Sequence, residues 1–319
     1  MVVSKMSMRM YPDNLSLIIG NKVKNIPHKL KREFYRIPLF QSLREQKYQK
    51  TLNNHALLLP QISPQDTKIL NGLHQNGTYV IPIEELELSS SSNMMEMVNI
   101  LANNLKSLTL DRNQNNNCEI GSNIEEFREY PKILLWALET RLLNIIENYI
   151  GLPIIYQGFA MRRGIADGKY SGVRQWHIDW EDRRLIKIII YLNDVDINGG
   201  PYEYIPRNLT AQAIEKLNYY NLGYVSDEEM ETAIPKTHWR ACEALKGSVI
   251  ITDSSSVFHR AKPPTKEERF SITLCYTSIN PQVMWRSRGI TVQQWQLINS
   301  QINQRQKNCL PQRQISQFL

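Results

Sequence analysis

The alternation of apolar and polar positions changes character near the middle of this chain. Before residue 151 apolar residues recur at helical spacing; beyond it they bunch into short runs split by Gly, Pro and Asn. In the first part, Ser63-Pro64-Gln65-Asp66 reads as a helix start, with proline at an early helical position and an acid in the first turn. Gly77 ends that helix, and 78–83 reads as a short strand. A second helix is predicted over 92–108 and a third over 131–150, the latter with a Leu/Ile/Trp stripe that reads as core. Residues 28–49 form a basic amphipathic stretch, read as a surface helix or arm. The Asn-rich segment 111–123 cannot bury a core and is expected to be a loop.

In the second part, Ile, Val and Tyr fill candidate strands at 153–162, 173–179, 185–192, 202–205, 248–252, 257–259 and 269–277. Many short strands with turn punctuation suggest a sandwich or a double-sheet jelly roll. A helical insert is predicted over 209–232, with a capping-box start at Ser226-Asp227-Glu228-Glu229, and a last helix near Thr291, with Gln294 three residues on. The expected class is therefore α+β. One domain spans 1–319: a mainly helical region, 1–150, packs on a jelly-roll core, 151–280, and a C-terminal helix and tail follow, 281–319.

Composition changes this picture little. Of 319 residues, 42% are hydrophobic and 22% charged, which is ordinary for a globular protein. The net charge is +7, but Lys and Arg are spread along the chain, with a few in a Gln-rich tail (Arg305, Lys307, Arg313), so no nucleic-acid patch is expected. Cys118, Cys242, Cys275 and Cys309 form no CxxC pair and read as separate reduced thiols. Residues 1–21 hold no apolar leader core, and the longest apolar run, 186–192, is interrupted by Lys187 and has strand length. No membrane association is expected, and a cytoplasmic location is.

The candidate chemistry lies in Gln175-Trp176-His177-Ile178-Asp179. On a strand, residues i and i+2 share a face, so His177 and Asp179 would converge on one point. His259, following the apolar run 248–252, is the candidate third ligand. Two imidazoles and one carboxylate on one side of a metal leave the other positions open, the facial triad of non-haem iron(II) oxygenases. A chelating co-substrate such as 2-oxoglutarate could fill two of these and leave one for O₂. Its far carboxylate needs a fixed cation. Arg269, ten residues after His259, and Ser271, on the same strand face, are the candidates.

These residues carry a resemblance. Trp176-His177-Ile178-Asp179, Tyr191-Leu192-Asn193-Asp194-Val195, Asn198-Gly199-Gly200-Pro201, Tyr204-Ile205-Pro206, and Phe258-His259-Arg260 followed by Arg269 make 151–277, about two-fifths of the chain, similar to the phytanoyl-CoA dioxygenase family of 2-oxoglutarate oxygenases. The resemblance implies a double-stranded β-helix, ferrous iron, 2-oxoglutarate, and succinate and CO₂ as co-products. Where family members often have Gly-Ser-His after the Ile-Pro, this chain has Arg207-Asn208-Leu209. That His is not an iron ligand, so the departure bears on the loop entering the insert.

Other readings compete. His28, His55, His74 and His238 lack partners at ligand spacing and read as structural. Gly199-Gly200-Pro201 reads as a turn between strands, since no helix follows at phosphate-loop spacing. Trp176 and Trp180 face away from the metal pair if the strand is regular; if it ends by Asp179, Trp180 could wall a substrate pocket. Arg162, Arg163, Arg174, Arg183 and Arg184 form either a solvated rim or a site for an anionic ligand, with Arg162 and Arg174 the substrate candidates. The expected reaction is hydroxylation of a C–H bond in a small molecule. Desaturation or ring closure is the alternative outcome of the same oxidant, and a non-catalytic binding protein the alternative class. Halogenation is disfavoured, because Asp179 fills the position a halide would need.

Overall fold

The computed structural model describes residues 38–107, 119–121, 131–219, 223–282 and 292–311. Its helices are α1 (Pro38–Ala56), α2 (Pro64–Asn76), α3 (Ser91–Ser107), α4 (Pro131–Ala137), α5 (Thr140–Ile150), α6 (Arg207–Lys216), α7 (Asp227–Ala233), α8 (Val292–Ile298) and α9 (Gln304–Asn308). Its strands are β1 (Thr78–Pro82), β2 (Glu119–Gly121), β3 (Ile154–Gly164), β4 (Ile186–Tyr191), β5 (Tyr202–Tyr204), β6 (Arg240–Cys242), β7 (Ser248–Asp253), β8 (His259–Ala261) and β9 (Arg269–Ser278). Helix α1 belongs to a unit separate from that of Leu58–Leu319 and carries an i,i+4 bond from Gln49 to Glu45. The start of the basic stretch 28–49 lies outside the described residues, as do Thr291 and Cys118.

The strands form two antiparallel sheets. The larger has the order β1-β7-β4-β9-β3-β2 and the smaller β6-β5-β8. Strand β4, Ile-Lys-Ile-Ile-Ile-Tyr, is dominated by β-branched residues and lies between β7 and β9. Its alternation sorts the faces: Ile186, Ile188 and Ile190 are fully buried on one, while Lys187, Ile189 and Tyr191 share the other, opposite Cys275, Thr273 and Ser271 of β9. Helices α3 and α5 pack against β3 and β9. The sheets are tied together by Tyr202 Oη to Thr252 Oγ1 (2.9 Å), and by Tyr191, whose hydroxyl donates to the Cys242 carbonyl and accepts from the Tyr202 amide. An apolar cluster of Tyr191, Val195, Tyr202, Cys242 and Ile250 fills the space beside these ties. The mixed helix and antiparallel-sheet class is as expected.

The helix ends at α2 and α7 are as predicted. Ser63 and Asp66 form a reciprocal capping box, as do Ser226 and Glu229, and Gly77 closes α2 at φ 80°. At Gly77 a Cβ would also lie 2.3 Å from Val257 Cγ1, so both torsion and space demand glycine there.

Other expectations are corrected. The predicted helix 131–150 is two helices, broken at Leu138–Glu139 without Gly or Pro. The cause is tertiary: the Glu139 carboxylate accepts from Ser89 Oγ, Ser90 N and Ser90 Oγ. Carbonyls at the break are taken by Tyr276 Oη on Ala137 and Gln306 Nε2 on Leu138. The insert predicted over 209–232 is α6 and α7, with Val225 between them bridged to Trp176. The segment 173–179 is not a strand. It is a 3-10 turn at Gly172–Arg174 followed by two isolated bridges, Trp176 to Val225 and His177 to His259. Within the expected Asn-rich loop 111–123, Glu119–Gly121 adds to the edge of β3 at Arg162–Gly164. Strand β6, which the sequence analysis did not anticipate, pairs with β5.

No helix among the described residues is long and apolar enough to cross a membrane. Cys242, Cys275 and Cys309 are free and buried.

Candidate metal centre and adjoining pocket

His177 and His259 face each other across an antiparallel bridge, each amide donating to the other's carbonyl at 3.0 and 2.9 Å. Two residues on, the Asp179 amide donates to the Ser254 carbonyl at 3.0 Å. These three backbone bonds do the work expected of a strand. They bring one imidazole nitrogen from each His and one Asp179 oxygen within 4.8 Å of one another.

The imidazoles are oriented for coordination. Nδ1 of His177 lies 2.8 Å from the Gln175 carbonyl, and Nδ1 of His259 lies 3.1 Å from that of Val257. A carbonyl can only accept, so Nδ1 carries the proton and Nε2 presents its lone pair. The Nε2 atoms point at Asp179, 3.9 Å from Oδ1 for His177 and 3.5 Å from Oδ2 for His259. Burial, and then the neighbouring His177, push the His259 pKa down to about 3; burial likewise lowers that of His177. Burial works to protonate Asp179, but the Lys187 ammonium and the two imidazoles outweigh it and hold the carboxyl below its usual range. Two neutral nitrogens and one carboxylate are thus in their ligating states at neutral pH, and the set fits a divalent metal ion.

Lys187 is the residue the sequence analysis missed. Its ammonium contacts Asp179 Oδ2 directly. Burial opposes its charge, and the Asp179 and Glu181 carboxylates overcome that and leave its pKa raised. The signal was present: the single lysine within 186–192 has the parity of Ile189 and Tyr191 and so must face inward with them.

Beside these three residues runs a pocket between the sheets. Arg162, Lys187, Ile189, Arg269, Ser271 and Thr273 line it from the larger sheet, and Tyr202, His259 and Ala261 from the smaller, with Val173 and His177. Arg269 and Ser271 share the inner face of β9, and Arg162 of β3 lies directly across from Ser271. Arg269 is bracketed by Asn193, whose side chain donates to the Glu268 carbonyl and accepts from the Phe270 amide. Gly200, at φ 70°, lies so close to the loop before β9 that a Cβ would meet Lys262 O at 2.4 Å. The Asn-Gly-Gly-Pro run is the expected turn, and it also clamps that loop: Lys262 N donates to Pro201 O and Thr265 N to Asn198 O.

The other candidates lie elsewhere. Arg174, 1% exposed, is corrected: the 3-10 turn directs it into the preceding loop, where it pairs with Asp167 at 2.5 Å and donates to the carbonyls of Ile165 and Lys169. Arg163 forms a two-pronged pair with Glu268, and Arg184 donates to Tyr149 O. Of the five rim arginines only Arg162 is in the pocket lining. Trp180 is half-buried and not part of that lining. Trp176 is core, with its indole donating to Asp227. Arg260 points away from the metal centre, stacked 4.4 Å from the Trp176 ring and paired with Glu203 and Asp227. Tyr224, from the segment joining α6 and α7, stands edge-on to His177 at 5.5 Å.

No family model matches the chain, and no curated protein matches it. Similar folds occur among solved structures. HygX from Streptomyces hygroscopicus, with nickel and 2-oxoglutarate bound, is 16% identical over 71% of this chain and 91% of its own, with a TM-score of 0.48. EctD from S. alaskensis, with 2-oxoglutarate and 5-hydroxyectoine, is 18% identical over 68% of this chain and 77% of its own, at 0.46. SnoN, a non-haem α-ketoglutarate-dependent epimerase from nogalamycin biosynthesis, is 11% identical over 68% and 82%, at 0.44. At these scores the likenesses assign no activity, which has to be read from the site's own residues.

Proposed function

We propose that this protein is an Fe(II)- and 2-oxoglutarate-dependent oxygenase of the phytanoyl-CoA dioxygenase type, on a double-stranded β-helix, acting on a small molecule. The observation that carries it is the joint placement of His177, Asp179 and His259, with both Nε2 atoms turned inward, next to a pocket that presents Arg269 and Ser271. Ferrous iron and 2-oxoglutarate, when bound, supply oxidation of a C–H bond by O₂, with succinate and CO₂ as co-products.

The chain's own residues would bind and orient. The triad would hold the metal from one side and leave its other positions free. Arg269 offers a two-pronged donor, and Ser271 a hydroxyl, to the far carboxylate of the co-substrate. Arg162, across from Ser271, is placed to receive either the near carboxylate or an anionic group of the substrate. Of the arginines read as a rim, Arg162 is the one in the pocket lining, so an anionic substrate would meet Arg162. Tyr224 brings the insert beside His177, which supports the insert as a cover over the substrate. Hydroxylation is the proposed outcome, and a cytoplasmic setting the proposed location. The test is incubation of purified protein with Fe(II), 2-oxoglutarate and a metabolite extract, followed by mass spectrometry. A substrate gaining one oxygen with stoichiometric succinate is expected; loss of two hydrogens instead would indicate desaturation or ring closure. No succinate under any condition would overturn the reading.

The Lys187–Asp179 ion pair favours one other reading, a metal-free protein that binds an anion among Arg162, Lys187 and Arg269. Retention of 2-oxoglutarate without any metal would support it.

A further inference from the structure

We infer that Lys187 makes metal retention conditional on an anionic chelator: it weakens the triad's hold on a metal ion alone and gives up that competition once a dicarboxylate co-substrate draws the ammonium off Asp179. The inference rests on the proposed function and assigns a role within it to a residue outside the triad and the co-substrate anchor.

The geometry leaves Lys187 no exit. Its backbone lies on the central strand β4, paired with Thr252 of β7 on one side and Cys275 of β9 on the other. Its side chain leaves the inner face, lines the pocket and contacts Asp179 Oδ2. Asp179 is the one carboxylate of the triad, so a metal ion and the ammonium converge on the same anion. A divalent ion bound there must therefore settle close to a fixed positive charge in a buried cavity, where like charges repel strongly.

The pocket already carries cations. Arg162, Lys187 and Arg269 line it, and a metal ion would add two more positive charges. A dicarboxylate reverses the balance, since its two negative charges meet the metal, the ammonium and the guanidinium groups together. The coupling comes from the ammonium's change of partner: with a metal ion alone it stays on Asp179 Oδ2 and competes for that oxygen, and with a dicarboxylate present it turns to the ligand's carboxylate and releases the oxygen to the metal. By linkage, a residue that makes the ligand favour the metal-bound site makes the metal favour the ligand-bound site equally.

Equilibrium titration with Mn(II), reading free aquo-ion by electron paramagnetic resonance, tests this with and without 2-oxoglutarate. For Lys187→Met, Mn(II) alone should bind about tenfold tighter than in wild type, or more, and the gain on adding 2-oxoglutarate should shrink by a similar factor, the size of a 1.4 kcal/mol change. Lys187→Arg, which keeps the charge, should retain the wild-type gain. Lys187→Gln, which can still donate to Asp179, carries the same expectation as Lys187→Met should the latter not fold. Wild-type Mn(II) affinity and an undiminished gain in the neutral variants would overturn the inference while leaving the proposed function standing. If wild type shows, even with 2-oxoglutarate present, no Mn(II) binding that Asp179→Ala abolishes, the proposed function fails and the inference falls with it.

Discussion

Asp179 is held by its backbone and contested by its side chain. Its amide is fixed on Ser254 O, while its two oxygens face His177, His259 and Lys187. Asp179→Ala should abolish both metal binding and turnover, measured by Mn(II) titration and succinate release, because it removes one of only three ligands. Arg269→Ala should raise the co-substrate requirement. Loss of a buried charge-assisted pair costs about 2–5 kcal/mol, roughly thirtyfold or more in affinity. Asn193→Ala should act in the same direction and more weakly, since it loosens the strand end on either side of Arg269 without touching the ligand. A split between the two is read from 2-oxoglutarate KM: raised in both, with metal affinity unchanged in Asn193→Ala. The same histidines set a pH dependence in the metal-free protein. His259 is held at about 3 and His177 is also lowered, so the unfolded chain takes up protons that the folded one refuses as pH falls below about 6.5. Stability should decline across that window towards pH 3, by about 1.4 kcal/mol per pH unit for each proton not taken up. Denaturation at stepped pH should show this slope, and a His259→Leu protein should lose part of it.

At the scale of elements, what was legible followed local chemistry. Ser63, Gly77 and Ser226 mark helix ends through bonds to their immediate neighbours, so sequence alone locates them. The large-sheet strands other than β2 were legible because runs such as the β-branched β4 are built for a buried sheet. The grouping of His177, Asp179 and His259 was legible as well, yet for a partly mistaken reason: His177 and Asp179 converge through single backbone contacts to His259 and Ser254, with no regular strand between them. What was not legible depends on distant partners. Glu139 breaks a helix because Ser89 and Ser90 capture its carboxylate, and Arg174 turns from the pocket because Asp167 accepts it. Arg260 is the strongest such case, a guanidinium enclosed by Trp176, Trp239 and Tyr170 and paired with Glu203 and Asp227. It pins α7 to the outer side of β8. Arg260→Met should leave Glu203 with Lys262 as its remaining partner and cost up to about 3 kcal/mol, the low end for breaking a buried pair, read as a lowered urea midpoint. Arg207, which stands where the family often departs from this sequence, donates to Asp253 and Ser256 and so ties α6 to the turn that carries Ser254.

At the scale of the whole molecule, the larger sheet supplies charge and the smaller supplies a face of the proposed metal centre. Lys187, Arg162 and Arg269 come from β4, β3 and β9, whereas His259 comes from β8, and His177 pairs with it. A ligand that joins a metal ion to Arg269 therefore spans the two sheets, and removal of metal and ligand should lower the thermal midpoint together more than either loss alone. The central claim is the position of the metal. Anomalous diffraction from crystals grown with Mn(II) and 2-oxoglutarate tests it most directly. A single strong peak bounded by His177 Nε2, Asp179 and His259 Nε2, with the co-substrate reaching Arg269, is the predicted result. A peak elsewhere, or no peak and Lys187 still paired with Asp179 while 2-oxoglutarate occupies the pocket, would contradict it.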